Sequence, residues 1–329
     1  MSDAMRDRVA VKEIHVAVAV IIRDGRVLVA RRPGHAHQGG LLEFPGGKVE
    51  AGETVQQALI REIAEETGLR LTESALEPVI GIHHDYGDKQ VFLDVWQTTD
   101  SQGEAEGREG QSVSWMLPET LRDEDFPAGN RAIIHALKLP RQLAITGQID
   151  GGEGVRNGID QLTIALRQRS VPLVVLRAPV LERPDYHRLA EAALLVCKDF
   201  GTGLIVHGSP AVFQHNRGLA GLHLPWREAE GLEARPISRD AWLGVSCHNA
   251  EQITHAARLE ADYVTLGPVK PTASHPEADG IGWPAFSKCV ALAPMPVYGL
   301  GGLGIEDVSE ARRNGGQGIA GIRYWWPES

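Results

Sequence analysis

The arrangement of apolar and polar positions changes near residues 139–140, which divides the chain into two regions. In the first region, β-branched apolar runs and polar turns alternate irregularly. This pattern predicts three strands and a short closing helix, at 15–22, 26–30, 91–96 and 132–138. The first two strands are separated by Arg23-Asp24-Gly25, which is typical of a hairpin turn. We therefore expect an α/β unit over residues 13–138.

The second region has a regular rhythm of short apolar runs separated by helix-like stretches. Eight predicted strands lie at 143–146, 173–178, 203–207, 221–224, 242–246, 263–267, 296–299 and 318–322. Helical patterns lie between most of them, for example at 185–198, 249–259 and 305–313. Strands that alternate with helices favour a parallel sheet closed into a (β/α)8 barrel. We expect this second unit to span residues 141–329.

One helix of the first region is defined by clear start and stop signals. Thr54 is placed to cap the free N–H groups at its beginning, and Gly68 to end it in a left-handed conformation. Its apolar positions, at i, i+3, i+4 and i+8, predict one buried face formed by Val55, Ala58, Leu59 and Ile63.

The same helix carries three carboxylates on one face, at Glu62, Glu65 and Glu66. At this spacing the like charges lie within about 6 Å of each other and repel. Hard oxygen ligands on one face are what Mg2+ or Mn2+ requires, although many glutamate-rich helices simply face solvent. Arg61 and Glu53 are expected to pair and to hold the helix to the preceding loop.

Composition and charge narrow the class of function. The chain has 329 residues and a formal net charge of -10, which argues against non-specific binding of nucleic acid polymers. A nucleotide substrate stays compatible, because a divalent cation supplies the missing positive charge. The three cysteines, Cys197, Cys247 and Cys289, follow no disulfide or metal-ligand spacing. Without a signal-peptide core or an apolar run of about 18 residues, we expect a cytoplasmic protein with no membrane partner.

The segment from Gly47 to Leu69 resembles the Nudix hydrolase family at every defined position of its signature. Those positions are Gly47, Glu53, Arg61, Glu62, Ile63, Glu65, Glu66, Gly68 and Leu69. Flanking segments resemble the MutT branch, whose members hydrolyse 8-oxo-dGTP to the monophosphate. They are Arg31-Arg32, His37, 42–48, 108–111, Trp115 and 125–130.

This resemblance implies an α/β/α sandwich with a mixed sheet and a Mg2+ cofactor, with Mn2+ as the alternative ion. The implied metal ligands are Glu62, Glu65, Glu66, Glu109 and the Gly46 carbonyl. Glu109 would complete the metal site or act as general base, and Arg61 and Glu53 join the catalytic group. The implied substrate-binding residues are Arg32, Glu43, Phe44, Lys48 and Asn130.

Two of these roles have simpler alternatives. Asn130 would read the edge of an oxidised guanine, since its amide offers both a donor and acceptors, but a plain turn residue fits the same position. Glu109 lies in a loop that is charged in any case.

The second region resembles thiamine phosphate synthase and its TenI relatives. The matching segments are 243–249, 261–272, 299–302 and 315–320. Glycine-rich loops after barrel strands suit phosphate binding, which the resemblance implies for Gly301, Gly302, Gly318 and Ile319.

Departures from the synthase pattern are equally informative. His207-Gly208 replaces an Asn-Asp pair, the run 223–228 lacks the Gly-Gln-Glu-Asp sequence, and Thr272 to His275 lacks a lysine. The Mg2+-binding carboxylates of synthases are therefore missing, and we expect no synthase activity. His248 is either catalytic or a helix cap, and Trp325-Trp326 either lines a ligand site or packs in the core.

Three hypotheses follow. The leading one is a sanitising 8-oxo-dGTP diphosphatase with an appended synthase-like barrel. The second is a hydrolase of thiamine-type diphosphates whose barrel binds a related small molecule. The third makes the barrel a ligand-sensing or interaction module without chemistry. All three imply small-molecule partners, namely a nucleotide or diphosphate substrate and a thiamine-related barrel ligand.

Overall fold

The protein is described by a computed structural model over residues 13–34, 38–85, 90–149, 154–272 and 279–326. The chain divides into two compact units, Met1–Ile134 and His135–Ser329. The domain limits expected at residues 138 and 141 remain a prediction. In the described ranges, no helix has the length and apolar character needed to cross a membrane.

The N-terminal unit is built on a mixed sheet. Within the described residues, its strands are β1 (Ile14–Arg23), β2 (Arg26–Arg31), β3 (Leu42–Glu43), β4 (Gly46–Lys48), β5 (Arg70–Leu71), β6 (Glu77–Asp85), β7 (Gln90–Thr98), β8 (Ser101–Gln102) and β9 (Ser112–Met116). The main sheet has the order β3-β2-β1-β7-β6, with β4 paired to β1 and β9 to β2. β1 and β7 run parallel, and the other pairs are antiparallel. The small strands β5 and β8 pair separately.

The helix α1 (Val55–Thr67) begins and ends where the sequence predicts. The Thr54 hydroxyl accepts from the Gln57 N–H, and the Gln57 side chain accepts from the Thr54 N–H, which forms a capping box. Gly68 ends the helix with φ 74° and ψ 0°. The second helix of this part of the chain is α2 (Arg131–Lys138).

α1 packs on one face of the sheet through its predicted apolar stripe. Leu59 and Ile63 are fully buried against Ala17, Ala19 and Ile21, the alternate residues of β1. The polar face of α1, which carries the glutamates, therefore points away from this core.

The second unit is a closed parallel barrel, as expected. Its strands are β10 (Gln142–Ile145), β11 (Leu173–Leu176), β12 (Gly203–His207), β13 (Gly221–Leu224), β14 (Trp242–Cys247), β15 (Tyr263–Leu266), β16 (Val297–Leu300) and β17 (Gly318–Gly321). Its described helices are α3 (Gly154–Gln168), α4 (Arg183–Asp199), α5 (Pro210–His215), α6 (Trp226–Ala229), α7 (Ala250–Arg258), α8 (Gly282–Val290) and α9 (Val308–Arg313). The helix predicted at 305–313 is a short 3-10 turn followed by α9.

Alternate strand residues face the lumen and the outer helices. Leu143, Val175 and Tyr298 belong to the cluster that fills the lumen. Their neighbours on the same strands, such as Ala144 and Val174, pack against the outer helices. The lumen is tightly filled at Gly244, where a Cβ atom would lie 2.3 Å from Tyr263 Cζ and 2.5 Å from His223 Nδ1. Glycine is therefore the side chain that these two neighbours allow.

The α1 cap yields a prediction about local stability. Thr54→Ala removes the acceptor for the Gln57 N–H, so the opening free energy of α1 should fall by about 1 kcal/mol. Native-state hydrogen exchange of the α1 amides measures this change. Thr72→Ala is the matched control, because Thr72 precedes a 3-10 turn without a side-chain cap bond. Equal protection in both variants would contradict the capping role.

Candidate active site

Arg61 is the hub of the carboxylate-bearing end of α1. Its Nε and Nη2 atoms donate to both oxygens of Glu53 at 2.9 Å, and Nη1 donates to Glu62 Oε1 at 2.7 Å. Nη2 also donates to the Lys48 carbonyl at 3.1 Å. These hydrogen bonds lower the pKa of Glu53 to about 2 and raise that of Arg61. One guanidinium therefore ties the helix to both the preceding loop and β4.

Two glycines allow β4 to approach the glutamates closely. A Cβ on Gly47 would lie 2.1 to 2.3 Å from the atoms of the Glu62 carboxylate. Gly46 has φ 149°, and its N–H donates to Glu66 Oε2 at 3.1 Å. The glutamates thus stand directly against a bare stretch of backbone.

The loop that carries Glu109 is fastened to the end of α1. Gln111 is buried, donates to the Glu66 carbonyl at 3.1 Å and accepts from the Glu109 N–H at 2.8 Å. Arg108 adds a hydrogen bond from its N–H to the same Glu66 carbonyl and another from its side chain to the Ala64 carbonyl. Sequence reasoning assigned no role to Gln111, although the residue lies within the matching segment 108–111, because its residue type does not indicate this anchoring function.

Negative charge accumulates at this site. Burial raises the pKa of Glu66 to about 7, the Gly46 N–H opposes the shift, and the charges of Glu43, Glu62 and Glu109 add to it. Over the described residues, no three His, Cys, Asp or Glu side chains already converge as a ligand set. The donor set consists of hard carboxylate oxygens, and one added cation would relieve their repulsion, so the residues fit a divalent metal.

The predicted substrate-binding residues lie in two groups. Phe44 is buried and stacks on Phe126, with ring centroids 5.3 Å apart and planes inclined by 23°. Asn130 ends the 3-10 turn Ala128–Asn130, and its N–H donates to the carbonyl of Pro127, three residues earlier.

The second group is charged. Arg32 forms an ion pair with Glu43, whose pKa is raised by burial against the opposing effect of that arginine. Lys48 has an exposed position at the end of β4 and gives its carbonyl to Arg61. His37 lies outside the described residues.

A separate cavity of about 290 Å³ opens at the carboxyl ends of the barrel strands. Gly301 and Gly302, which follow β16, line it and have φ values of 93° and 67°. A Cβ at Gly301 would lie 2.6 Å from Pro268 Cβ, so the loop needs glycine there. Both glycines thus lie in a loop beside the cavity, and their phosphate-binding role stays a prediction.

The other two predicted phosphate-binding residues need correction. Gly318 and Ile319 form the beginning of β17, at the opposite end of the strand, and are buried. The Ile319 N–H donates to the Arg141 carbonyl, and a Cβ on Gly318 would lie 1.9 Å from the same oxygen. Gly321 and Arg323 line the cavity instead, because a parallel strand presents only its carboxyl end to the mouth.

The structure also places the other barrel residues that the sequence singled out. Asn249 caps α7 by accepting from the Gln252 N–H, whereas His248 lines the cavity and bonds the Gly267 carbonyl through Nδ1 at 2.7 Å. Trp325 and Trp326 are buried in the core, with Trp325 Nε1 donating to the Ile145 carbonyl. Residues 273–275 of the threonine-rich loop lie outside the described residues.

Comparison with known proteins matches each unit to a family. Residues 17–136 match the family model described as NUDIX domain, and residues 143–324 match the model described as thiamine monophosphate synthase. The chain is 36% identical over 128 residues to the 8-oxo-dGTP diphosphatase of Escherichia coli (strain K12), covering 39% of this chain and 98% of that protein.

Two further relatives are each similar to one of the two units. The CTP pyrophosphohydrolase of Escherichia coli (strain K12) is 40% identical over 108 residues, covering 33% of this chain and 78% of that protein. The putative thiamine-phosphate synthase 2 of Aquifex aeolicus (strain VF5) is 29% identical over 190 residues, covering 56% and 97%.

These matches complete the assignment that the fold and the glutamate-bearing helix indicate, a pyrophosphohydrolase joined to a (β/α)8 barrel. The chain belongs to the Nudix family in its first unit and to the thiamine monophosphate synthase family in its second.

The contact between Gly47 and Glu62 yields a prediction about metal binding. Gly47→Ala should displace the Glu62 carboxylate and weaken Mn2+ binding by about 10-fold or more, a loss typical of disturbed outer-shell partners. Titration calorimetry with Mn2+ measures the change. Gly34→Ala is the control, because a Cβ there meets open space. Unchanged Mn2+ affinity in a folded Gly47→Ala protein would exclude Glu62 from the metal site.

Proposed function

We propose that the Nudix unit, residues 13–138, hydrolyses 8-oxo-dGTP to the monophosphate and pyrophosphate with Mg2+ as the cofactor, Mn2+ being an alternative. This activity would remove oxidised purine nucleotides from the nucleotide pool and so avoid mutations during DNA replication. The observation that carries the proposal is the 36% identity to an 8-oxo-dGTP diphosphatase across 98% of that relative.

The proposed metal-binding residues are Glu62, Glu65, Glu66, Glu109 and the Gly46 carbonyl. A bound Mg2+ would neutralise the diphosphate and make its bound water more acidic. Arg61 holds Glu62 in place, and the Gly46 N–H holds Glu66. Glu65 is 57% exposed, and its Oε2 lies 3.6 Å from Arg61 Nη1, a long ion pair that lets the carboxylate turn towards a cation.

Glu109 is proposed as an additional ligand or as the general base. The hydrogen bonds of Gln111 fix the backbone of Glu109 beside the end of α1, while Glu109 itself stays exposed. Because the backbone of this loop is fixed, the exposed Glu109 carboxylate can reach the substrate from one defined position.

Base recognition is assigned to Phe44 and Asn130. The stacked pair of Phe44 and Phe126 supplies an apolar aromatic wall, and the Asn130 amide supplies a donor and an acceptor. Arg32, held by Glu43, and Lys48 supply positive charge for phosphates or base. The combination suits a purine nucleotide.

Two other substrate classes have specific support. The 40% identity to a CTP pyrophosphohydrolase favours a pyrimidine nucleotide, although over only 78% of that protein. The joined barrel, residues 141–329, favours a thiamine-type diphosphate through its family. We infer that the barrel itself lacks synthase activity and binds a small molecule, because no carboxylate is among the described residues that line the 290 Å³ cavity.

A substrate panel tests the proposal. With Mg2+, pyrophosphate release from 8-oxo-dGTP should exceed that from dGTP, CTP and thiamine diphosphate in kcat/KM. Asn130→Ala should reduce the preference over dGTP by about 10- to 100-fold, because an unmade hydrogen bond in a buried site costs about 1–3 kcal/mol. Asn157→Ala, at an exposed position of α3, is the control. Equal rates on 8-oxo-dGTP and dGTP would refute the proposed selectivity.

The glutamates can be tested independently of the substrate. Glu66→Gln keeps the side-chain shape but removes the charge, so turnover should fall by more than the roughly 10–100-fold typical of outer-shell partners. Glu73→Gln, in an exposed 3-10 turn, should keep full activity. Steady-state kinetics and circular dichroism on both variants separate lost chemistry from lost folding, and an active Glu66→Gln enzyme would rule out a direct metal role.

A further inference from the structure

Two histidines meet on the helical layer of the barrel. His187 lies in the first half of α4, which directly precedes β12, and His215 is the last residue of α5, which directly follows β12. Their ring centroids are 3.9 Å apart, and the ring planes are inclined by 41°. The two imidazoles are therefore in direct contact although they belong to different helices.

The backbone beside each histidine is held by a neighbouring residue. The first histidine follows Tyr186, whose buried hydroxyl donates to the Leu176 carbonyl at 2.7 Å and accepts from the His207 N–H at 3.0 Å. The second precedes Asn216, whose side-chain amide donates to the Val212 carbonyl at 3.0 Å. Contacts outside the pair thus fix where the two rings start, which favours a preformed site.

One ring nitrogen of His187 lacks a partner. Its Nδ1 atom is buried and, among the described residues, forms no hydrogen bond. Burial lowers the pKa of His187, the charges of His215 and Arg183 lower it further, and Glu191 opposes them. The imidazole is therefore mostly neutral near pH 7, which is the form that binds a metal ion.

A carboxylate follows one helical turn further along α4. Glu191 lies four residues after His187, so the two side chains leave the same face of the helix. Glu191 is exposed, and its charge already acts on the imidazole. Across the described ranges no three such side chains converge as they stand, so Glu191 has to change rotamer to join the pair.

The spacing of the two rings is close to that of a zinc site. Tetrahedral Zn2+ with Zn–N bonds of about 2 Å places two imidazole centroids about 5 Å apart. The rings need to separate by about 1 Å to admit the ion, and the exposed position of His215 allows this movement. Two imidazoles and one carboxylate suit zinc, whereas Mg2+ prefers oxygen ligands alone.

We propose that His187, His215 and Glu191 bind one Zn2+ between α4 and α5, with water in the fourth position. The ion links the two helices and gives the unpaired nitrogen of His187 a partner. This site differs in chemistry from the glutamates of the Nudix unit, whose oxygen donors suit Mg2+. The inference concerns the barrel and is independent of the activity proposed for the Nudix unit.

Zinc titration of the full-length protein in excess Mg2+ tests the proposal. Mg2+ fills the oxygen site but competes poorly for imidazole, so calorimetry should still show one Zn2+ bound per chain. His187→Gln and His215→Gln should each weaken this binding by more than the roughly 10-fold typical of outer-shell partners, and Glu191→Gln by a smaller factor. Combining the two histidine substitutions should add little, because either one already removes the site.

Matched substitutions and a second metal assign the effect to this site. His83→Gln removes an exposed histidine of β6, and Glu233→Gln removes an exposed glutamate outside α4, so both should keep the native Zn2+ affinity. Co2+ replaces Zn2+ as a spectroscopic probe, because four-coordinate Co2+ absorbs visible light more strongly than six-coordinate Co2+. The native protein in excess Mg2+ should show this absorption, and the His187→Gln protein should lack it.

Three results would overturn the proposal. They are absence of Zn2+ binding in excess Mg2+, unchanged affinity in any of the three ligand variants, and an equal loss in His83→Gln. Thermal unfolding gives a further check, since Zn2+ should raise the unfolding temperature of the native protein and leave that of His187→Gln unchanged. His215 is exposed, so His215→Gln keeps the test decisive even where His187→Gln fails to fold.

Discussion

The Nudix unit depends on one ionic cluster, the Arg61 guanidinium with Glu53, Glu62 and the Lys48 carbonyl. Without this cation, α1 would place its carboxylates next to each other with only the Gly46 N–H to balance them. The planar fork of arginine satisfies two carboxylates and one carbonyl at once, which a lysine cannot do. The position of β4 relative to α1, and hence the shape of the glutamate site, follows from these bonds.

The candidate sites of the two units carry charges of opposite sign. In the Nudix unit, burial raises the pKa of Glu66, the neighbouring carboxylates add to the shift, and the group of acids suits a cation. At the barrel mouth, Arg177 and Arg323 line a cavity whose described lining contains no acid, so the charged side chains of that lining are positive. The net charge of -10 describes neither environment, because local arrangement and not the total decides what each site attracts.

Regular periodicity made much of the fold predictable. The apolar stripe of α1 and its limits at Thr54 and Gly68 were confirmed, because cap and stripe are local properties of the chain. The eight barrel strands were also confirmed, since each is a short buried run between helices. β6 and β9 were not anticipated, because glycine, histidine and serine interrupt their apolar pattern.

The candidate sites were less predictable. Gly318 and Ile319 begin β17 and lie away from its carboxyl end, because the matching segment 315–320 covers the turn before the strand as well as its first residues. Gln111 owes its importance to a partner far along the chain, the Glu66 carbonyl. Tertiary contacts of this kind leave no signal in local spacing.

The filled lumen at Gly244 has a consequence for how this barrel can diverge. Its missing side chain, the Tyr263 ring and the His223 imidazole share one volume, and His223 also bonds the Tyr263 hydroxyl at 3.1 Å. A larger residue at any of the three positions requires a smaller one at another, as in a closely packed crystal. These positions should therefore change together among related barrels, and their combined volume, more than the identity of any one residue, is the inherited quantity.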